Sequence, residues 1–183
     1  MEIEWRHLRQ WAFKEGLILG ENFPKPEKRG GREHDVRFDK ETGRWWKYTK
    51  PDSSGLCVTW IGDATPYLHN ASPSEYLGRI LDCNGIFGDD TKLEGIWWDG
   101  KGWRIITTQQ DISGESLSPM EIRALMEANG WEHIPVWDGL GYENSQTFRK
   151  GDWLVADAHP GNAVQTMEGA IMPIDFILAR RIV

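Results

Sequence analysis

The sequence predicts an α+β fold of antiparallel hairpins and three main helices. Three observations carry this. Apolar residues recur at helical spacing in three segments, and two of those open with Ser-Pro-x-Glu. Extended runs come in pairs around Asp- and Gly-containing turns. The stretch after Gly130 is strand-rich.

The first helix spans Glu2 to Glu15. Trp5, Leu8, Trp11 and Ala12 fall on one face, and Gly16 closes it. A loop rich in charge, Pro and Gly follows, from Glu21 to Arg32. Strands are expected at Glu33 to Phe38 and Arg44 to Lys50 around Asp39-Lys40-Glu41-Thr42-Gly43. Leu56 to Ile61 is a short apolar stretch. Ser72-Pro73-Ser74-Glu75 is a capping box that starts the second helix. Its buried stripe is Tyr76, Leu77, Ile80 and Leu81, and Asn84-Gly85 marks its end. Leu93 to Trp98 and Trp103 to Thr108 form a hairpin about Asp99-Gly100-Lys101-Gly102. A linker runs from Gln109 to Leu117. Ser118-Pro119-Met120-Glu121 starts the third helix, with Ile122, Leu125 and Met126 on one face and Asn129-Gly130 as its stop. Two hairpins follow, one about Arg149 to Asp152 and one about Thr166 to Gly169.

The bulk numbers narrow the function. At 183 residues, 39% apolar and 27% charged, the chain suits one globular domain or one domain of two small lobes. A formal charge of −7 gives no support for a nucleic-acid coat. Cys57 and Cys83 make neither a metal-binding pair nor a disulfide scaffold and read as reduced thiols. The N-terminus lacks the apolar core of a signal peptide, and no apolar run is long enough for a membrane span. A cytoplasmic location without a membrane partner is the expectation. The eleven tryptophans are expected mainly to fill cores.

The chemistry concentrates in Asp157-Ala158-His159-Pro160-Gly161-Asn162, with Asp175 thirteen residues beyond Asn162. Phosphoryl transfer needs a magnesium ion on hard oxygen ligands and a carboxylate to orient and deprotonate the attacking hydroxyl. An Asn carbonyl and two Asp carboxylates on neighbouring loops provide that set. Gly139-Leu140-Gly141 reads as a turn.

The Asp157 to Asn162 segment resembles the Asp-x-His-Pro-Gly-Asn catalytic loop of aminoglycoside and choline kinases. It also fits the Asp-x-x-x-x-Asn frame of protein kinases, which the Asp-Phe of Asp175-Phe176 extends. A wider likeness covers most of the chain. Gly30 to Val36, Lys47-Tyr48-Thr49, Glu75-Tyr76-Leu77, Phe87 to Asp90 and Leu93-Glu94-Gly95 are similar to the Ser/Thr/Tyr kinase-like domain of bacterial and phage polyvalent proteins, multi-domain proteins of mobile elements.

The resemblance implies a minimal protein-kinase-like domain over residues 1–183. A helix and strand-rich lobe covers 1–108, and a linker with a reduced catalytic lobe covers 109–183. It implies Mg2+ and ATP as cofactors, Asp157 as catalytic base, and Asn162 and Asp175 as metal ligands. Lys47 would hold phosphate, with Lys50 as its competitor. Glu75 would pair with that lysine, although its place in the capping box accounts for it equally, and Glu94 is a further candidate. The adenine would lie against backbone groups near Gln109 and Gln110. His159 would support the loop. Gly30-Gly31 is either a phosphate-covering loop or a plain one. Ile177 replaces the glycine of Asp-Phe-Gly, and eight residues follow Asp175, so a truncated C-terminal lobe without an activation segment is expected. The expected activity is transfer of the ATP γ-phosphate to a hydroxyl acceptor, protein or small molecule. The alternative is a nucleotide-binding pseudokinase or interaction module without turnover.

Overall fold

A computed structural model of the chain describes residues 1–28, 31–61 and 65–181. In order they form α1 (Glu2–Lys14), β1 (Ile18–Leu19), β2 (His34–Asp39), β3 (Arg44–Thr49), β4 (Leu56–Ile61), β5 (Thr65–Asn70) and α2 (Pro73–Phe87). Then come β6 (Lys92–Trp98), β7 (Trp103–Gln110), β8 (Glu115–Ser116), α3 (Pro119–Ala128), β9 (Glu132–His133), β10 (Gln146–Lys150) and β11 (Trp153–Ala158). Last are β12 (Ala163–Gln165), β13 (Ile171–Pro173) and β14 (Ile177–Arg180). The fold is α+β, with three helices and mainly antiparallel sheets among the described residues. No described helix is long and apolar enough to cross a membrane.

The chain divides into two compact units. The first is Met1–Leu56, Asn70–Leu81 and Asp90–Asp111; the second is Cys57–His69, Asp82–Asp89 and Ile112–Val183. The β4–β5 hairpin forms its own two-stranded sheet. The sequence predicts no strand at Thr65–Asn70; Pro66, His69 and Asn70 are poor strand residues that the two-stranded sheet tolerates at its edge.

The first unit is a five-stranded sheet in the order β1-β6-β7-β3-β2. Only β1 and β6 run parallel. Their contact depends on Gly95, where a Cβ would collide with the Leu17 carbonyl. Tyr48, Trp97 and Ile106 form a buried cluster, with Phe23 and Trp46 against it. Helix α1 buries Trp5, Leu8 and Ala12, while Trp11, expected on that face, is 43% exposed. The capping box at α2 is present: the Ser72 N–H donates to Glu75 Oε2 (2.8 Å), and the Glu75 N–H donates to Ser72 Oγ (3.4 Å). The expected stripe of α2 is corrected. Tyr76, Arg79 and Cys83 are buried and Leu81 is 71% exposed. The helix also passes Asn84-Gly85 to reach Phe87, because Cys83 and Phe87 pack into the second unit's own core and burial outweighs local propensity.

Several charges of the first unit are buried in pairs. Arg79 and Glu33 are 5% and 7% exposed and meet through two parallel bonds of 3.1 and 3.2 Å. Arg79 also donates to the Leu56 carbonyl (2.8 Å), and the Leu56 N–H donates to Glu33. A second network joins Lys50 and Arg104 to Asp35, and Arg104 to Asp99. Asp99 further takes the N–H groups of Lys101 and Gly102.

The second unit holds a four-stranded sheet, β14-β11-β10-β9, and a three-stranded sheet, β13-β12-β8. Helix α3 has its capping box at Ser118 and Glu121, as the sequence predicts, and sets Ile122 and Met126 fully into the core. There they join Trp131, Phe148, Val155, Phe176 and Leu178. Phe87 stacks on Trp131 at 5.7 Å and meets Phe176 edge-on at 6.0 Å. Of the eleven tryptophans only Trp11 and Trp98 are exposed, so the family of indoles serves packing.

Two predictions follow from the buried charge. Removing one partner of a buried pair strands the other, so Arg79→Ala should cost about 3–5 kcal/mol. The exposed i,i+4 pair Arg123–Glu127 is the control, and Arg123→Ala should cost less than about 1 kcal/mol. Urea unfolding of both variants compares them, and equal losses would contradict the argument. Burial raises the pKa of Asp35 and Asp99, but bonds from Lys50 and Arg104 at Asp35, and from the Lys101 N–H, Arg104 and the Gly102 N–H at Asp99, outweigh it and leave both lowered. Their stabilisation is complete above about pH 4, the unfolded aspartate range, and is lost as pH falls through the lower folded-state values. Asp35→Asn should flatten that acid limb in a thermal-melting series across pH.

Candidate catalytic loop

Strand β11 delivers Asp157. Its residues Leu154, Val155 and Ala156 are buried, and it lies between β10 and β14. Pairing with β10 is regular from Lys150–Trp153 to Phe148–Val155, then jumps to Gln146–Ala158. β11 therefore carries one extra residue, a bulge, at Ala156-Asp157. Bulges bend a strand and re-aim a side chain. Asp157 takes φ +60°, a left-handed conformation that Asp tolerates better than most residues. Its N–H donates to the Leu140 carbonyl (3.0 Å).

Beyond the strand, Pro160–Asn162 makes a 3-10 turn capped by His159, whose Nδ1 accepts the Gly161 N–H (3.1 Å). The ring of His159 lies 5.1 Å from that of Tyr142, and its Nε2 is 3.9 Å from Asp157 Oδ1. His159 thus caps the turn through its own ring.

Asn162 ties the loops together. Its Nδ2 donates to the Asp157 carbonyl (3.1 Å), to Asp157 Oδ2 (3.1 Å) and to the Asp175 carbonyl (3.3 Å). Its own carbonyl accepts the Ile174 N–H (2.7 Å). Asp175 sits between β13 and β14, next to Phe176, which is 2% exposed and anchors that connection in the core. So Asp157, Asn162 and Asp175 come together within the second unit. With Nδ2 occupied, Oδ1 is the atom Asn162 has for a cation. An amide oxygen and a carboxylate are hard-oxygen donors of the type magnesium prefers.

The remaining predicted residues lie in the first unit. Lys47 is mid-strand in β3, paired with Val36 and Thr107, and is 7% exposed. Its competitor Lys50 is bonded to Asp35 (2.5 Å). Glu75 is exposed and caps α2. Glu94 accepts the Thr108 hydroxyl (2.6 Å). Gln109 and Gln110 belong to strand β7 rather than to a linker, because their backbones pair with Trp45 and Arg44. Gln109 is 2% exposed, and the Gln110 N–H already donates to Asp90 Oδ1 (2.8 Å). Gly30 lies outside the described residues. Gly139-Leu140-Gly141 reads in the sequence as a turn, and Tyr142 follows it. The Tyr142 N–H in fact donates to Asp157 Oδ1 (2.7 Å). The paired glycines were its only sequence signal.

Asn162→Asp replaces the shared donor with an acceptor facing three acceptors. It should destabilise the chain by about 2–3 kcal/mol, the cost of leaving buried polar groups unmade. Chemical denaturation measures this, and a change below about 0.5 kcal/mol, typical of an inert surface site, would mean the amide does not join the loops. No protein-family model, no curated protein and no solved structure matches the chain.

Proposed function

We propose that the chain is a minimal kinase-like phosphotransferase that moves the ATP γ-phosphate to a hydroxyl acceptor. The convergence of Asp157, Asn162 and Asp175 on one amide carries the reading. Bound Mg-ATP supplies the transferable phosphoryl group. Asp157 orients the acceptor hydroxyl and takes its proton. Asn162 and Asp175 would hold magnesium, which would offset phosphate charge.

The order of the first unit supports the same reading. Lys47 lies on a strand inside the sheet, flanked by β2 and β7, and a helix follows in the chain before β6 and β7. Kinases use a strand lysine on the phosphates with a helix glutamate as its partner. Lys47 takes the phosphate role because it lies mid-strand, whereas Lys50 follows the strand and precedes Pro51. Glu75 is the helix glutamate and would exchange its bond to Ser72 for the lysine. The end of β7 at Gln109 and Gln110 is the adenine edge. The Gln110 N–H is held by Asp90, so base contacts fall to other backbone groups there.

Two measurements test this. Mg-ATP at about 100 times its dissociation constant should stabilise the wild type by about 2.7 kcal/mol, and Asp175→Ala should abolish the shift. Asp157→Asn should keep the shift and lower transfer by roughly 10²–10⁴-fold. A shift without transfer to any hydroxyl would favour nucleotide binding without turnover. No shift in the wild type would favour an interaction domain.

A further inference from the structure

The loop from Asp138 to Ser145 has no role in the chemistry described so far, yet its whole construction is directed at Asp157. Three of its residues have left-handed backbones: Gly139 (φ +82°), Gly141 (φ +122°) and Asn144 (φ +79°). The loop is closed on itself, with the Gly139 N–H on the Ser145 carbonyl (2.8 Å) and the Ser145 N–H on the Tyr142 carbonyl (2.9 Å). Its base is fastened by three bonds. Asp138 accepts the Thr147 N–H (2.9 Å) and bonds His133 Nε2 (2.9 Å), while the Thr147 hydroxyl donates to the Trp137 carbonyl (2.7 Å).

Three features of this closed loop meet Asp157. The Leu140 carbonyl accepts the Asp157 N–H, the Tyr142 N–H donates to Oδ1, and Gly141 lies flat against the carboxylate. A Cβ on Gly141 would stand 2.7 Å from Asp157 Cγ, inside any permitted contact, and would collide with Oδ1. Only glycine admits the carboxylate there. Asn162 holds Oδ2 from the other side (3.1 Å). Each oxygen of the carboxylate thereby accepts a bond, and the left-handed φ of Asp157 is braced by its own N–H.

We propose that Gly141 and Tyr142 are positioning residues for the base: the Tyr142 main-chain N–H sets the Asp157 carboxylate, and Gly141 makes the space for it. This rests on the kinase-like reading for what the carboxylate does, but not for how it is held. A base displaced by about 1 Å loses near-attack geometry, which can lower a rate about a hundredfold while ligand binding persists.

The test uses the full chain and two readouts. Hydrogen exchange at the Tyr142 amide reports the clamp without any activity. Tyr142 is 59% exposed, so without the bond to Asp157 its amide should exchange quickly. Asp157→Ala should accelerate it by about tenfold or more, the worth of a bond to a charged acceptor. An unchanged rate would overturn the proposal, whatever the protein catalyses. The second readout is transfer from Mg-ATP in Gly141→Ala, beside Gly151→Ala as the control for strain alone. Gly151 also has a left-handed backbone (φ +58°), but a Cβ there meets nothing within 4 Å. Gly141→Ala should lose about a hundredfold in turnover with the Mg-ATP dissociation constant held within about twofold, and Gly151→Ala should lose neither. Equal loss of turnover in both glycine variants would overturn the positioning role. Wild type that shows the clamp in exchange but neither binds nor turns over Mg-ATP would uphold the clamp and discard the kinase-like reading.

Discussion

One primary amide organises the candidate site. Two carboxylates on separate loops repel, and each brings a main-chain carbonyl of the same polarity. Asn162 Nδ2, with two hydrogens, stands among the Asp157 carbonyl, the Asp157 carboxylate and the Asp175 carbonyl. No other uncharged side chain but glutamine offers that donor with an oxygen on the same plane. A cation would add electric charge, and a hydroxyl has only one proton. The amide thus joins the loops while leaving the two aspartates as the site's charge.

The first unit solves a related problem differently. Several of its buried charges are matched one against another, with Arg79 on Glu33, and Arg104 shared between Asp35 and Asp99. Pairs of this kind add little net stability over an apolar core, because desolvation offsets most of the Coulomb attraction. What they do add is geometry. Arg79 fixes a turn of α2 to the start of β4 through the Leu56 carbonyl, and Arg104 fixes β7 to β3 through the Thr49 carbonyl (3.0 Å). Lys47 sits in a sheet braced in this way. In the proposed function that rigid strand would favour phosphate binding, since little freedom then remains to be lost.

Much of this was legible in the sequence, and for identifiable reasons. Both capping boxes, at Ser72 and Ser118, depend on four consecutive residues and appear as read. The loop from Asp157 to Asn162 is likewise local, and the return to Asp175 is one short hairpin. What stayed hidden depends on distant pairing. Gln109 and Gln110 look like linker residues because glutamine has little strand preference, and only β3 makes them a strand. Leu81 looks like core because its helix is amphipathic, but Arg79, drawn inward by Glu33, turns the buried face. The partnership of Tyr142 with Asp157 spans fifteen residues and uses a main-chain N–H, so no side-chain pattern could announce it.

The bulge in β11 has a consequence for how this strand can change. In a regular strand, the face on which a residue looks is set by counting from its neighbours, so the core residues and Asp157 would share one phase. The extra residue at Ala156-Asp157 breaks the count between Val155 and Ala158. Residues up to Val155 answer to the packing of the sheet, and Asp157 answers to the loops around it. Side chains of the strand can therefore be exchanged for others of similar volume without turning the carboxylate. The length of the strand has no such latitude: removing a single residue there would restore the pleat, leave the sheet intact, and face the aspartate the other way.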